Sequence, residues 1–234
     1  MTSKRKTISI ILDIAIAACA YVGTILALVY AESEGYSHWY KRLLYFTQQS
    51  NLWTGTICII KLASLMLSEK TGKDYYKRWI FILKFAFTVS SSITAIIFCS
   101  FLAPFADFNV WTAAGIITHT VVPALAIIDL FVDGKDFIIK GAHVFITLIP
   151  PLMYFIMATN LSILGVDFGR GDPFPYFFLN FHSEVGLFGF APTSPPQIGS
   201  FYWIVFICGL VVFIAWIFAK LRNRMIQNGK NATN

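Results

Sequence analysis

The sequence predicts an all-α integral membrane protein, a bundle of six transmembrane helices that forms a single membrane domain over residues 1–234. Hydrophobic residues make up 57% of the chain and charged residues 13%, and the mean hydropathy is +0.68, which excludes an ordinary soluble domain. A transmembrane barrel would show alternating segments of about 10 residues, and no such pattern is visible. Six apolar segments instead reach the roughly 20 residues that a helix needs to cross the hydrocarbon core: approximately 8–31, 43–68, 79–103, 110–132, 138–161 and 199–220.

Basic residues are distributed unequally between the two sides of this predicted bundle. One side receives most of them: Lys4, Arg5, Lys6, Lys70, Lys73, Lys77, Arg78, Lys135, Lys140, Lys220, Arg222, Arg224 and Lys230. The other side has only Lys41, Arg42 and Arg170. By the positive-inside rule we expect both termini in the cytoplasm. The same asymmetry accounts for the net charge of +6 without a nucleic-acid partner, and a patch for anionic lipid or nucleic acid is the alternative.

The first apolar segment begins like a signal peptide, with basic residues in front of it. Its apolar run is too long for one and no small-x-small pattern follows, so we expect a retained helix. The four cysteines lie singly inside apolar segments and are expected to pack as small apolar residues: Cys19, Cys58, Cys99 and Cys208. No disulfide framework, metal site or cofactor is predicted from them.

The long connection over residues 162–198 is predicted to lie on the external side. Gly165 and Pro173 are among its helix breakers, yet it is rich in aromatic rings, as in the run Phe174-Pro175-Tyr176-Phe177-Phe178-Leu179. A solvated loop does not need so many rings. We therefore expect a lid or re-entrant segment against the membrane surface, with an aromatic belt at the interface as the alternative.

Polar side chains occur where the second and fourth segments would otherwise face lipid. Thr47, Ser50, Asn51 and Thr54 are spaced at i, i+3, i+4 and i+7, so a helix places them on one face. His119 lies within the fourth segment. Because polar groups at membrane depth are costly unless they face a protein interior or a wet cavity, we expect both sets to point into the bundle.

Thr47 and His119 form a candidate catalytic pair. His119 lies about nine residues into the fourth segment, or ~13 Å at the helical rise, and Thr47 lies near the outer end of the second, so both belong to the outer half of the membrane. A neutral imidazole can take the proton of a hydroxyl during attack and return it to the leaving group. Pro123 cannot donate to the His119 carbonyl and is expected to open the helix there. Gly115, one turn before His119, is expected to leave room beside the imidazole ring.

Packing roles are the alternatives for each of these polar groups. A lone histidine can bridge helices, threonine and serine often bond back to their own helix, and amide side chains can join helices. Because two glutamines, a serine and an asparagine within four residues exceed what packing needs, Gln48 and Asn51 are candidates for orienting the nucleophile or stabilising an oxyanion. Ser50 is an orienting candidate and a rival nucleophile. Ser90–Ser92 and Thr94 are expected to extend the polar interior on the third segment.

The inner half of the predicted bundle has its own ionisable residues, Asp13, Lys61, Lys84, Asp129 and His143. Each lies near a predicted cytoplasmic helix end, where lysine can snorkel to the surface and carboxylates can pair. We interpret this set as structural, with a proton path as the alternative. The sequence has no HExxH motif, no Walker loop and no paired carboxylates suited to a metal ion.

At these residues the chain resembles a known family. Phe46-Thr47 and His119-Thr120-x-Val122-Pro123 are similar to motifs of the androgen-induced and androgen-dependent TFPI-regulating proteins, multi-span threonine hydrolases that cleave fatty acid esters of hydroxy fatty acids. The form Phe-Thr-x-x-Ser-Asn is more similar to their bacterial relatives, and Pro175–Asn180 is a looser match in the long loop. The resemblance implies that Thr47 is the nucleophile, that His119 is its partner and that the location is a bacterial plasma membrane. The polar run 48–51 replaces more apolar residues of the family, which concerns the substrate more than the reaction type.

The function expected from these observations is hydrolysis of a lipid or fatty-acyl ester within the membrane, by Thr47 and His119 and without a cofactor. Two other classes stay open. A small-solute or proton transporter or channel would use the same polar residues to line a path, although the second segment turns apolar at Ile57-Cys58-Ile59-Ile60. A non-catalytic protein that binds membrane lipid would keep the fold without the chemistry.

Overall fold

The computed structural model describes residues 3–106, 109–133, 135–192 and 197–231, and it confirms the predicted fold class. Within these ranges six helical segments are long and apolar enough to cross a membrane. Their bounds are Arg5–Val29, Phe46–Thr71, Arg78–Phe105, Ala113–Val132, Gly141–Ile163 and Ser200–Gly229. The largest difference from the prediction is at the last segment, because its helix continues past residue 220 with polar residues that hydropathy does not detect.

Two of the six segments are each divided into two α-helices, so the structure has eight α-helices in the described ranges. They are α1 (Ser3–Val29), α2 (Phe46–Thr71), α3 (Arg78–Ile97), α4 (Ala113–Ile116), α5 (Val122–Val132), α6 (Gly141–Ile146), α7 (Ile149–Ile163) and α8 (Ser200–Asn231). Two short strands, β1 (Phe190–Ala191) and β2 (Gln197–Ile198), pair antiparallel in the long connection. Single 3₁₀ turns occur at Glu32–Glu34, Trp39–Leu44, Ala103–Phe105 and Phe177–Leu179.

Proline accounts for both of these divisions. A π-helical turn over Ile117–Val121 joins α4 to α5, and the Val122 N–H donates to the Ile117 carbonyl across it. Pro123 has no N–H for the carbonyl four residues before it, so the predicted opening at His119 is confirmed. Between α6 and α7 the regular helix stops at Thr147 and restarts at Ile149, just before Pro150-Pro151. A second π turn, Phe98–Leu102, continues α3.

The core of the bundle is a group of four packed segments. α1 packs on α2, α2 on α3, and α5 on both α1 and α3, while α8 packs on α3 and α6. α1 and α2 approach closely, since a Cβ atom placed on Gly55 would lie 3.0 Å from the Cβ of Ala20. Small residues at the contact allow dispersion to hold helices together where lipid is as apolar as the side chains.

The two ends of the bundle differ in what lies there. At one end, the tail end, Arg5 of α1 donates to the Phe131 carbonyl at 3.3 Å and Arg222 of α8 donates to the Lys135 carbonyl at 2.7 Å. The first and last helices therefore share that end. At the opposite end, the loop end, lies the long connection between α7 and α8, in which residues 193–196 of the predicted loop are outside the described part.

The first half of the long connection covers the loop end of the bundle. The rings of Phe168, Phe174 and Phe178 are buried there. The second half behaves differently, since Phe188 is 62% exposed and Phe190 is 65% exposed. The lid against the membrane surface and the aromatic belt both stay predictions, because each concerns where the segment lies relative to a membrane.

Candidate functional site

A cavity of about 280 Å³ opens at the loop end of the bundle, and we call it the loop-end cavity. Its walls come from α2, from the two π turns, from the 3₁₀ turn before α2 and from the long connection. Three of the sequence-predicted site residues line it, namely Thr47, Gln48 and His119. The lining also includes polar residues that the sequence did not single out: Glu34, Arg42, Arg170, Asp172 and Tyr176.

Thr47 lies in the first turn of α2. The helix begins after Tyr45, whose backbone is extended and whose side chain makes no capping hydrogen bond, so the first N–H groups of the helix have no partner within it. The Thr47 residue is 6% exposed. Its carbonyl accepts hydrogen bonds from Ser50 Oγ at 3.1 Å and from Asn51 Nδ2 at 2.7 Å. The residue also lines the loop-end cavity.

His119 lies in the π turn between α4 and α5. Its ring stacks on the ring of Phe98, with centroids 3.6 Å apart and planes 7° apart, and Phe98 itself begins the π turn that follows α3. π turns of this kind are frequent at functional sites. The Nδ1 atom of His119 is buried and has no hydrogen-bond partner among the described residues. A buried imidazole nitrogen without a partner is available to a water molecule or a ligand in the cavity.

The structure places Thr47 and His119 on the wall of one cavity but gives Nδ1 of His119 no direct contact with the Thr47 hydroxyl. Proton transfer between the two would pass through a water molecule or follow closure around a substrate, since catalytic hydrogen bonds often form only in the complex. Gly115 lines the same cavity, and the room that it was expected to leave for a neighbour or a substrate is taken by a neighbour. A Cβ atom there would lie 2.2 Å from the Val110 carbonyl oxygen of the preceding loop.

Gln48, next to Thr47 in the first turn of α2, is another buried polar residue of the predicted site. It is 3% exposed, it lines the loop-end cavity, and its Oε1 atom has no partner in the described part of the chain. A carbonyl oxygen left without a donor at this depth is unfavourable. Gln48 is therefore placed to accept a hydrogen bond from a ligand or a water molecule, as an orienting residue would.

Asn51 and Ser50 do not reach the cavity. Asn51 Nδ2 donates to the carbonyls of Thr47 and Thr118, at 2.7 and 3.1 Å, so both of its amide hydrogens are occupied. The oxyanion-donor role considered for Asn51 is wrong for this arrangement, whereas its bond to Thr118 does fix α2 against the π turn of His119. Ser50 is fully buried, and its hydroxyl pairs with Thr94 Oγ1 at 3.0 Å. The hydroxyl therefore faces α3, where a substrate in the cavity cannot reach it, so Ser50 is a poor candidate for the nucleophile.

The serines of α3 mostly serve their own helix. Ser90 Oγ donates to the Ala86 carbonyl at 3.0 Å and Ser92 Oγ to the Thr88 carbonyl at 2.8 Å. This is the back-bonding that serine and threonine show within helices. The expected extension of the polar interior therefore holds for Thr94, through its bond to Ser50, and for Ser91, whose buried Oγ has no partner among the described residues.

Tyrosines surround the start of α2, and no sequence pattern marked them as site residues. The Tyr45 ring meets the rings of Tyr36 and Tyr176 edge to face, each at 5.6 Å, and Tyr154 lies 6.2 Å from Tyr176. Burial raises the pKa of Tyr36. Burial also raises the pKa of Tyr176 to about 12, although hydrogen bonding to the Thr47 side chain and backbone acts in the opposite direction and lowers it. Tyr176 comes from the long connection. The many aromatic residues of that segment were the sequence feature that could have indicated a role for Tyr176.

Two arginines lie at the rim of the loop-end cavity. The guanidinium carbon of Arg42 is 4.5 Å and that of Arg170 is 4.6 Å from the centroid of the Tyr36 ring. Glu34 holds both, since its carboxylate pairs with Arg42 and its carbonyl accepts from Arg170 at 2.7 Å. Burial and the neighbouring charge of Arg170 lower the pKa of Arg42 to about 10. The rim thus keeps two cations close together, which their positions in the sequence indicated only as charges on one side of the bundle.

A second, narrow cavity adjoins Thr47 on its other side, and we call it the apolar chamber. Its volume is about 40 Å³, and its walls carry the side chains of Ile93, Ile97, Phe155, Phe178 and Ile207. It shares Thr47, Leu102 and Tyr176 with the loop-end cavity. Thr47 therefore lies between a polar compartment and an apolar one.

The ionisable residues of the inner half converge at the tail end into a cluster that we call the charge network, formed by Asp13, Lys61, Lys84, Asp129 and Asp133. Lys61 Nζ lies 2.7 Å from Asp13 Oδ2 and 2.8 Å from Asp133 Oδ2. Lys84 Nζ lies 2.7 Å from Asp13 Oδ1 and also pairs with Asp129. Although burial opposes ionisation, the two ammonium groups hold the pKa of the Asp133 carboxyl well below its usual range.

The charge network corrects the expectation that these lysines snorkel to the surface, since Lys61 is 1% and Lys84 is 2% exposed. Their ammonium groups point into the bundle because the carboxylates there repay the loss of water. Asp133 belongs to the network and was missed. His143 does not belong to it, since its Nδ1 accepts from the Lys140 N–H at the start of α6.

A cleft of about 480 Å³ lies beside the charge network at the tail end. Ser9, Lys61, Tyr76 and Asp133 form part of its lining. Between the network and the loop-end cavity lies a layer of apolar and small side chains that includes Ile16, Cys58 and Val122. Among the described residues no group of three or more histidine, cysteine or acidic side chains is placed to hold a metal ion.

Comparison of this chain with protein-family models, with curated proteins and with solved structures finds no match.

Proposed function

We propose that this multi-pass membrane protein is an intramembrane hydrolase that cleaves lipid esters, with Thr47 as nucleophile and His119 as general base. The observation that carries the assignment is that both residues, contributed by different helices, line one cavity at the loop end. His119 Nδ1 and Gln48 Oε1 belong to residues that line this cavity, and neither atom has a hydrogen-bond partner among the described residues. Both atoms therefore support the presence of a binding site. A cavity with a few convergent polar groups is the usual form of a binding site.

In the proposed reaction, His119 accepts the Thr47 proton through a water molecule while Thr47 Oγ1 attacks the ester carbonyl carbon. The tetrahedral intermediate collapses, the bond to the alcohol oxygen breaks, and His119 returns the proton to that oxygen. A water molecule then attacks the acyl-threonine with His119 again as base, and the acid leaves with Thr47 restored. Ester and water give acid and alcohol, so the chemistry requires no cofactor.

The surroundings of Thr47 favour an ester with a hydrocarbon arm. The apolar chamber gives such an arm a place on one side, and the polar loop-end cavity faces the other. The family resemblance of Phe46-Thr47 and of the His119 motif adds a specific class, the fatty acid esters of hydroxy fatty acids, and a bacterial plasma membrane as the location. The oligomeric state is left open.

Labelling by a lipophilic fluorophosphonate tests the assignment without requiring the natural substrate. We expect wild-type protein in detergent to be labelled, Thr47→Ala and His119→Ala to lose the label, and Ser50→Ala to keep it, since Ser50 faces α3. Ser50→Ala is the matched control because it removes a hydroxyl one turn away on the same helix. An unlabelled wild type that is folded by thermal unfolding in detergent, or labelling kept in Thr47→Ala, would rule out Thr47 as the nucleophile.

A second function is favoured by one specific observation, the buried charge network beside the tail-end cleft. Cavities at opposite ends of the same four segments are what a transporter of a small solute or proton would have, and ionisable groups at membrane depth often mark such paths. An apolar cluster that includes Cys58 lies, along α1, α2 and α5, between the residues that line the two compartments. Protein in liposomes loaded with a pH-sensitive dye distinguishes the functions: the hydrolase predicts no proton flux above that of empty liposomes, and a flux clearly above it would favour transport.

A further inference from the structure

Tyr176 occupies a position that nothing in the Thr47–His119 pair explains. It is one of three residues common to the loop-end cavity and the apolar chamber, with Thr47 and Leu102. An ester held across Thr47, with its carbonyl at the nucleophile, would therefore lie against the Tyr176 side chain. The residue comes from the long connection, so the lid itself contributes a polar group to the reacting centre.

The hydroxyl of Tyr176 lies beside the nucleophile, since both residues line the two compartments. Hydrogen bonding to the Thr47 side chain and to the backbone of Phe46 and Thr47 lowers the pKa of Tyr176, while burial raises it. Phe46 and Thr47 belong to the first turn of α2, where no side chain of Tyr45 caps the helix. The tyrosine oxygen thus lies near the point toward which the donors at the helix start are directed.

The ring of Tyr176 is fixed in place by its neighbours. It stacks on Phe178 with centroids 5.0 Å apart and planes 6° apart, and it meets Tyr45 edge to face at 5.6 Å. Because the ring is held from both sides, the hydroxyl keeps its position at Thr47 without a further ordering cost when substrate binds. With a pKa of about 12, set by burial, the phenol also keeps its proton across the range in which an ester hydrolase works.

We propose that Tyr176 is a catalytic residue of this site, which donates its hydroxyl proton in a hydrogen bond to the carbonyl oxygen of the bound ester. As Thr47 Oγ1 forms its bond to the carbonyl carbon, the carbonyl electron pair moves to that oxygen, and the Tyr176 hydroxyl stabilises the charge. The phenol proton is not transferred, and the Thr47 proton goes to His119 as before. Tyr176 thereby supplies the oxyanion donor that Asn51 does not, and the role rests on the proposed hydrolase function.

The test compares Tyr176→Phe with Tyr202→Phe, using 4-nitrophenyl butyrate in detergent. Tyr202 packs on Phe190 at the start of α8 and does not line either compartment, so it is the matched control for loss of a phenol hydroxyl. We expect Tyr176→Phe to lower kcat by about 100-fold with KM nearly unchanged, the usual effect of removing one oxyanion donor, and Tyr202→Phe to equal wild type.

Thermal unfolding in detergent separates this role from helix capping. An unchanged midpoint for Tyr176→Phe beside the lower kcat supports the proposal, whereas a lowered midpoint with kcat and labelling reduced together would overturn it in favour of a structural cap. A wild-type kcat in Tyr176→Phe, with Thr47→Ala inactive, overturns the role of Tyr176 and leaves the hydrolase in place. A wild type that neither hydrolyses the ester nor takes the fluorophosphonate overturns both.

Discussion

Replacing Lys84 by methionine is expected to destabilise the protein by about 3–5 kcal/mol, because it leaves buried carboxylates without their partner. Lys84 Nζ lies 2.7 Å from Asp13 Oδ1 and 3.6 Å from Asp133 Oδ2, and it also pairs with Asp129. Asp13 and Asp129 are fully buried, so water cannot take over the role of the ammonium group. Thermal unfolding in detergent and the yield of folded protein measure the loss.

A double variant separates lost charge balance from lost packing. The network has three carboxylates and two ammonium groups, and Arg222, which is 1% exposed, adds a third cation beside Asp133. Lys84→Met leaves one negative charge in excess, and adding Asp13→Leu removes it. We expect the double variant to recover most of the lost stability, since a buried ion pair can be exchanged for apolar residues at little cost.

The exposed Lys77, seven residues earlier and in front of α3, provides the control for lysine loss itself. Lys77→Met should change the stability by less than about 0.5 kcal/mol, as is usual for surface positions. If Lys84→Met were as mild as this control, water from the tail-end cleft would already solvate the carboxylates. That result would favour the interpretation of the charge network as a proton path over its interpretation as a structural element.

The fold could be predicted from the sequence because hydropathy along the chain is enough to find six membrane-length segments. The depth of a residue follows from its position in a segment, which is why Thr47 and His119 were expected at one level and were found on one cavity. The direction in which a side chain points around the helix is a different matter. It depends on which helices are neighbours, and that information is not contained in any single segment.

The misassigned residues show this limit. At a given depth, a lysine near a helix end can either snorkel to the surface or turn inward. Lys84 turns inward because Asp13, Asp129 and Asp133 of other segments converge on its ammonium group. Asn51 shares a helix face with Thr47, yet its amide is taken up by the Thr118 carbonyl of a neighbouring segment. Tyr176 lies in a loop, where periodicity gives no position at all.

His119→Ala is expected to lower the turnover of 4-nitrophenyl butyrate by about 10²–10⁴-fold, the range attributed to a general base. The imidazole ring stacks on Phe98 at 3.6 Å and borders the loop-end cavity, so its removal leaves a ring-sized space against an aromatic face. Imidazole added to the buffer can enter that space and supply the missing nitrogen. We therefore expect partial recovery of turnover in proportion to the imidazole concentration.

His119→Phe is the variant that isolates the nitrogen from the ring. It keeps an aromatic stack on Phe98 and lacks a base, so its turnover should be as low as that of His119→Ala, and imidazole should not restore it because the space is filled. Thr47→Ala with imidazole should also stay inactive, since no nucleophile is present. If His119→Phe retained wild-type turnover, the histidine would be a packing residue, and the π turn that carries it would serve to bring α3 and α5 together rather than to place a base near Thr47.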